Sequence, residues 1–170
     1  MIQLTKLSKT LTKNYTAWIK KDYHNYIISE HFILKTNQNI KGSALNKLIS
    51  LLGNLPIEDE GIQNRHGHIR EMTEVEIKNW IDLLNDKGAK TICFTNLIHQ
   101  TDKELYSIFM GDGEYIFINK IYTDLVNIYE EDVEILGSTK TSPIYFKKEN
   151  EEIMLLPVRM KEDPFYLKIL

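Results

Sequence analysis

From Thr91 to Val158 the apolar residues fall into six short runs separated by turn-forming residues, and this constrains the fold more than any other feature. The runs are Thr91–Leu97, Leu105–Met110, Glu114–Ile118, Val133–Leu136, Pro143–Phe146 and Ile153–Val158. Each is too short for a buried helix and rich in β-branched or aromatic side chains, so each is expected to be a strand. Gly111-Asp112-Gly113 supplies the turn of a hairpin between the second and third runs. Asn119 follows the third run and can cap a helix over Asn119–Ile128, with Ile121, Tyr122, Leu125 and Val126 facing inward.

Upstream, the apolar spacing changes to that of helices. Leu45, Leu48, Ile49 and Leu52 make one stripe between Ser43, a candidate cap, and Gly53, suited to a left-handed stop. Thr73-Glu74-Val75-Glu76 spells a capping box, and Ile77, Trp80, Ile81 and Leu84 give the following helix a buried face up to Gly88. Between the two helices, Pro56 to Arg70 is polar and is expected to be a loop. The first 35 residues give mixed signals. Ile2, Leu4, Leu7 and Leu11 fit a helix face, whereas Tyr26-Ile27-Ile28 and His31-Phe32-Ile33-Leu34 fit two strands around a tight turn.

A chain of 170 residues suits a single domain, 1–170, with a core of its own. The net charge of −3 offers duplex DNA no general attraction. Lys6, Lys9, Lys13, Lys20 and Lys21 form a local basic stretch, expected to be a solvated face. The N-terminal segment interrupts its apolar residues with lysines, and no apolar stretch is long enough to span a bilayer. A cytoplasmic location without membrane contact is the expectation. Cys93 is the only cysteine, so disulfides within the chain and cysteine-based zinc sites are excluded, and it is expected in the core.

The order from Ser43 is helix, inserted helix, three strands, helix, three strands. It describes an α+β domain built from a duplicated helix-plus-strands unit, with 55–87 as an insertion and the first residues as an N-terminal extension. The second copy carries a resemblance. Tyr115–Val126 is similar to a strand-into-helix segment, Val133-Glu134-Ile135-Leu136 to the next strand, and Ser142-Pro143-Ile144-Tyr145-Phe146 to a Ser-Pro followed by an apolar strand. Ile153-Met154-Leu155-Leu156-Pro157-Val158-Arg159-Met160 is similar to a terminal strand ending in apolar-Pro-apolar-Arg-apolar. In that order they resemble the last domain of a bacterial DNA sliding clamp, over roughly residues 115–160.

The resemblance implies a single clamp-like domain. In clamps the terminal strand lines a hydrophobic pocket for peptides of DNA-processing partners, and the matching residues here are Met154, Leu156, Pro157, Val158 and Arg159. A bacterial clamp subunit has three such domains and closes a ring as a dimer, whereas this chain has room for one. Clamp helices facing DNA are rich in Lys and Arg. Here the first helix offers mainly Lys47, the later one sets Lys120 against Asp124, and the inserted helix sets Glu74, Glu76, Asp82 and Asp86 against Lys78. Weak direct DNA binding, or none, is therefore expected.

His66-Gly67-His68 could share a metal with Glu58 or Glu71, the basis of an alternative reading as a metal-dependent hydrolase. The leading expectation is a plain polar loop, with no cofactor and no catalysis. Gly137-Ser138-Thr139-Lys140-Thr141 lacks the upstream glycine of a phosphate loop and joins two strands. The expected protein is thus a non-catalytic binding module of the kind carried by phages and mobile elements. Its expected partner is a protein of DNA processing or host defence, as an accessory factor or as an anti-CRISPR-like nuclease inhibitor. Glu74 and Asp82, on the inserted helix, are expected to face that partner.

Overall fold

A computed structural model describes residues 1–86 and 88–160. Among them twelve strands are present: β1 (Tyr15–Lys21), β2 (His24–Ser29), β3 (Phe32–Thr36), β4 (Glu60–Arg65), β5 (His68–Glu71), β6 (Lys90–Thr91), β7 (Cys93–Gln100), β8 (Leu105–Gly111), β9 (Glu114–Asn119), β10 (Glu134–Gly137), β11 (Ile144–Lys148) and β12 (Glu151–Leu155). The helices among these residues are short: α1 (Leu4–Leu7), α2 (Gly42–Leu52), α3 (Glu74–Asp82) and α4 (Lys120–Thr123). Nine strands form one sheet in the order β5-β4-β1-β2-β3-β12-β11-β10-β6, and β7-β8-β9 form a second. Every pairing described is antiparallel.

Register explains how the large sheet acquires two different faces, because side chains alternate sides along a strand. One face carries a continuous row across seven strands: Ile62, Trp18, Ile27, Leu34, Ile153, Phe146 and Ile135, each opposite the next. This row belongs to the main core, covered by Leu48, Leu51 and Leu52 of α2 and by Phe109, Ile116 and Ile118 of the small sheet. The rings of Phe109 and Phe146 meet edge to face at 5.7 Å. Burying each of these large side chains contributes roughly 1.5–3 kcal/mol. The opposite face carries the row Gln63, Ala17, Ile28, Ile33, Met154, Tyr145 and Leu136. Among the described residues α3 covers it, through Ile77 and the turn residue Leu84 against Ala17, Ile19, Tyr26 and Ile28.

Several expectations change. The polar loop expected from Pro56 to Arg70 contains the β4–β5 hairpin, which extends the large sheet by pairing β4 with β1. Its buried polar side chains are satisfied: Asn64 Nδ2 donates to the Leu51 carbonyl at 2.6 Å, and the Gln63 amide meets the Tyr15 hydroxyl at 3.3 Å. Gly61 fits because a Cβ there would lie 3.0 Å from both Ile19 and Met72. Cys93 is exposed, not buried, because β7 is the edge of the small sheet and carries a bulge between Phe94 and Ile98. The helix expected over Asn119–Ile128 is a single turn capped by Asn119, whose side chain accepts from Ile121 N at 3.1 Å. Helix α2 begins at Gly42 with no side-chain cap, so Ser43 lies inside it, whereas Gly53 takes the expected left-handed conformation. Helix α3 stops at Asp82, before Gly88.

The four strands expected from Glu114 to Val158 form, but as parts of two sheets and not of one sheet system, with β9 in the small sheet and β10, β11 and β12 in the large one. The last strand ends at Leu155, short of the expected Val158. The capping box holds as read: Glu76 N donates to Thr73 Oγ1 at 3.3 Å, and Thr73 N donates to Glu76 Oε2 at 2.9 Å. Among the described residues no helix is long and apolar enough to cross a membrane.

Candidate functional site

Because α3 covers only part of the second face, the sheet surface beyond it is concave and open among the described residues. The groove left there has a volume of about 1100 Å³, above the ~300–1,000 Å³ usual for small-molecule pockets. Its floor is the row through Gln63, Ile33, Met154 and Tyr145. One wall is formed by Trp80 and Leu83 at the end of α3. The Trp80 ring is only partly buried and stacks on Tyr15 with centroids 5.4 Å apart and planes at 27°. From β5 to β11 the floor crosses six strand spacings, about 29 Å.

The polar groups cluster at one end. Arg70 holds Glu76 through two hydrogen bonds, Nη1 to Oε2 at 3.0 Å and Nη2 to Oε1 at 2.5 Å. The Arg70 guanidinium and then the Thr73 N–H draw the Glu76 carboxyl down to about 2. Burial and then the Glu76 charge push the Tyr15 hydroxyl up to about 12, so it stays protonated. Gln63 lies between the tyrosine and this ion pair. With its amide turned over, its oxygen accepts from Arg70 at 2.8 Å and its nitrogen donates to the Tyr15 oxygen at 3.3 Å. The site therefore offers an aromatic and aliphatic surface bordered by fixed polar groups.

The residues singled out in the sequence separate in space. Met154 and Leu156 both line the groove, Met154 buried in its floor and Leu156 more exposed near its edge. Past Leu155 the chain leaves the sheet, with Leu156 N bonded to the His31 carbonyl at 2.9 Å. Val158 then turns away and donates from its N–H to the Phe117 carbonyl at 2.8 Å, packing on the outer side of the small sheet. Pro157 and Arg159 are not among the groove residues, and neither are Glu74 and Asp82, which are exposed on α3. His66 and His68 do border the groove, at the β4–β5 turn, where His66 has φ 52° and Gly67 φ 90°. Among the described residues no three His, Cys, Asp or Glu side chains gather as a metal site. Pro164-Phe165-Tyr166-Leu167 extends past the end of the clamp-like terminal strand, where the sequence suggests a cover for the clamp-type pocket, and lies outside the described residues.

Sequence reasoning missed Tyr15, Gln63, Trp80 as a groove wall, and the Arg70–Glu76 pair. The alternation of Tyr15, Ala17 and Ile19 was the available signal for the first of these. No family model and no curated protein matches the chain. Among solved structures the chain is similar to one provisionally described as a DNA polymerase III beta subunit from Eubacterium rectale, at 14% identity. The match covers 94% of this chain and 65% of that one, with a TM-score of 0.35. A likeness this loose assigns neither a family nor an activity.

Proposed function

We propose that the chain is a non-catalytic protein-binding module that holds a short, extended segment of a partner protein in the groove beside α3. The observation that carries this reading is the size and lining of the groove: about 1100 Å³, with Ile33, Met154 and Tyr145 below and Trp80 and Leu83 beside. An extended segment of about eight or nine residues, at ~3.3 Å per residue, matches its length. Such grooves recognise segments through apolar anchors, and rigid aromatic walls limit the entropy lost on binding. The resemblance of Tyr115–Met160 to the last domain of a sliding clamp supports partners drawn from machinery that acts on DNA. An accessory role for a phage or mobile element, directed at replication, repair or host-defence proteins, is the setting this reading implies. Glu74 and Asp82 would meet the folded body of such a partner outside the groove.

The test is a selection from a displayed library of random eight-residue peptides, followed by affinity measurement on the enriched sequences. Enriched peptides are expected to carry apolar or aromatic anchors and to lose at least about tenfold in affinity for Leu156→Glu, which places a charge on the groove edge without entering the core. Absence of any enriched peptide, or equal binding to the Leu156→Glu protein, contradicts the reading.

A further inference from the structure

Arg65 stands at the polar end of the groove as the last residue of β4, opposite Tyr15 on one side and His68 on the other. Its neighbour Arg70 is occupied by Glu76. Arg65 is exposed and makes no side-chain hydrogen bond or ion pair among the described residues. The backbone carrying it is well fixed: the turn that follows is closed by Gly67 N donating to Asn64 Oδ1 at 2.8 Å, and Asn64 is itself anchored to Leu51. The other carboxylate at the groove, Glu30, lies beyond β1 in the β2–β3 turn, two strand spacings or about 10 Å from Arg65. Thr12 Oγ1 donates to Glu30 at 3.4 Å, and no ion pair joins Glu30 to Arg65 among the described residues. Among the described residues the groove thus has one guanidinium without an ion pair, at the β4–β5 end of an apolar floor.

Resting on the peptide-binding reading, we propose that Arg65 is the specificity-determining residue of the groove and that it selects partner segments bearing a carboxylate. A guanidinium presents a planar fork of donors that matches a carboxylate with two parallel hydrogen bonds, a geometry that neither lysine nor a neutral side chain reproduces. The stacked Tyr15–Trp80 wall stands beside it, on the β1 side. The register also sets a spacing. Arg65 is separated from the Met154 anchor by the four spacings from β4 to β12, about 19 Å, which an extended peptide crosses in about six residues. The recognised segment therefore carries Asp or Glu about six residues from its apolar anchor, with the acid at the β4–β5 end.

The experiment runs the octapeptide selection in parallel on the wild-type protein and on Arg65→Gln. The strongest wild-type peptide is then synthesised with each acidic residue intact or changed to its amide. The expected result is enrichment of Asp or Glu near one end in the wild-type pool alone. The amide peptide should then bind wild type about tenfold more weakly, acid and amide forms should bind Arg65→Gln within twofold of each other, and Arg65→Lys should fall between. Peptides with apolar anchors but no acidic preference, bound equally by wild type and Arg65→Gln, overturn the assignment of Arg65 and leave the peptide-binding reading standing. A selection that enriches nothing overturns both.

Discussion

Tyr15 shows how far one residue's surroundings reach. Its ring supports Trp80, its hydroxyl reaches Gln63, and its titration is displaced by burial and by Glu76. Its hydroxyl, raised to about 12 from an ordinary 10.0, gives native-state stability that is complete below pH 10 and declines as pH rises toward 12. Urea titrations across that range should show the decline, and Tyr15→Phe should remove part of it. Because the Trp80 ring is partly exposed, Trp80→Ala should cost about 2 kcal/mol, less than the ~3–5 kcal/mol of a fully buried aromatic. Gly61→Ala pushes a methyl group against Ile19 and Met72, and overpacking of this kind costs about 1–3 kcal/mol. Equilibrium denaturation checks both. The sequence conceals residues such as Gln63 and Asn64 because their polarity suggests a loop, whereas the folded chain buries both with hydrogen-bond partners. Cys93 misleads in the opposite sense, since an apolar run at a sheet edge need not be covered.

Elements with local chemistry of their own were legible. The capping box fixes the start of α3, Asp112-Gly113 closes the β8–β9 hairpin with φ of 48° and 80°, and Gly53 ends α2. Strand β1 was not legible, because its turn to β2 uses Asp22 and Tyr23 at φ 51° and 61°, where the pattern for such a turn favours Asn and Gly. The groove was half legible: Met154 and Leu156 come from a recognisable strand, but their surroundings depend on pairings between β1, β4 and α3 that no local pattern encodes. Glu151, at the start of β12, ties three segments together. Burial pushes its carboxyl up, but hydrogen bonds from the Met1 ammonium, Ile2 N–H, Gln38 and Thr36 outweigh this and hold it below the usual range. That stability is present above the ordinary carboxylate range and is lost as pH falls through the lowered value. Acid unfolding of Glu151→Gln should therefore be shallower than that of wild type, with lower stability at neutral pH.

At the scale of the molecule the two faces of the large sheet have different fates among the described residues, one sealed by α2 and the small sheet, the other left open beyond α3. The lysines of the first 21 residues are divided between the two ends of β1. Lys6, Lys9 and Lys13 are exposed around α1, while Lys20 lies 5.5 Å over the Trp18 ring and Lys21 pairs with Asp59 at 3.3 Å, at the far end of β1. Duplex binding is expected at about 10⁻⁴ M or weaker at physiological salt and should vanish when Lys6, Lys9 and Lys13 become glutamate. A fluorescence anisotropy titration measures this, and submicromolar affinity would contradict it. The two tryptophans sit on opposite faces, Trp18 sealed in the core with its indole N–H on Asn25, and Trp80 at the groove. Titrating a selected octapeptide while following both indole N–H signals by NMR therefore tests the central claim most directly. A saturable shift of the Trp80 signal and the Met154 methyl, with Trp18 unmoved, is the predicted result. Saturable binding that leaves Trp80 and Met154 unmoved would contradict it.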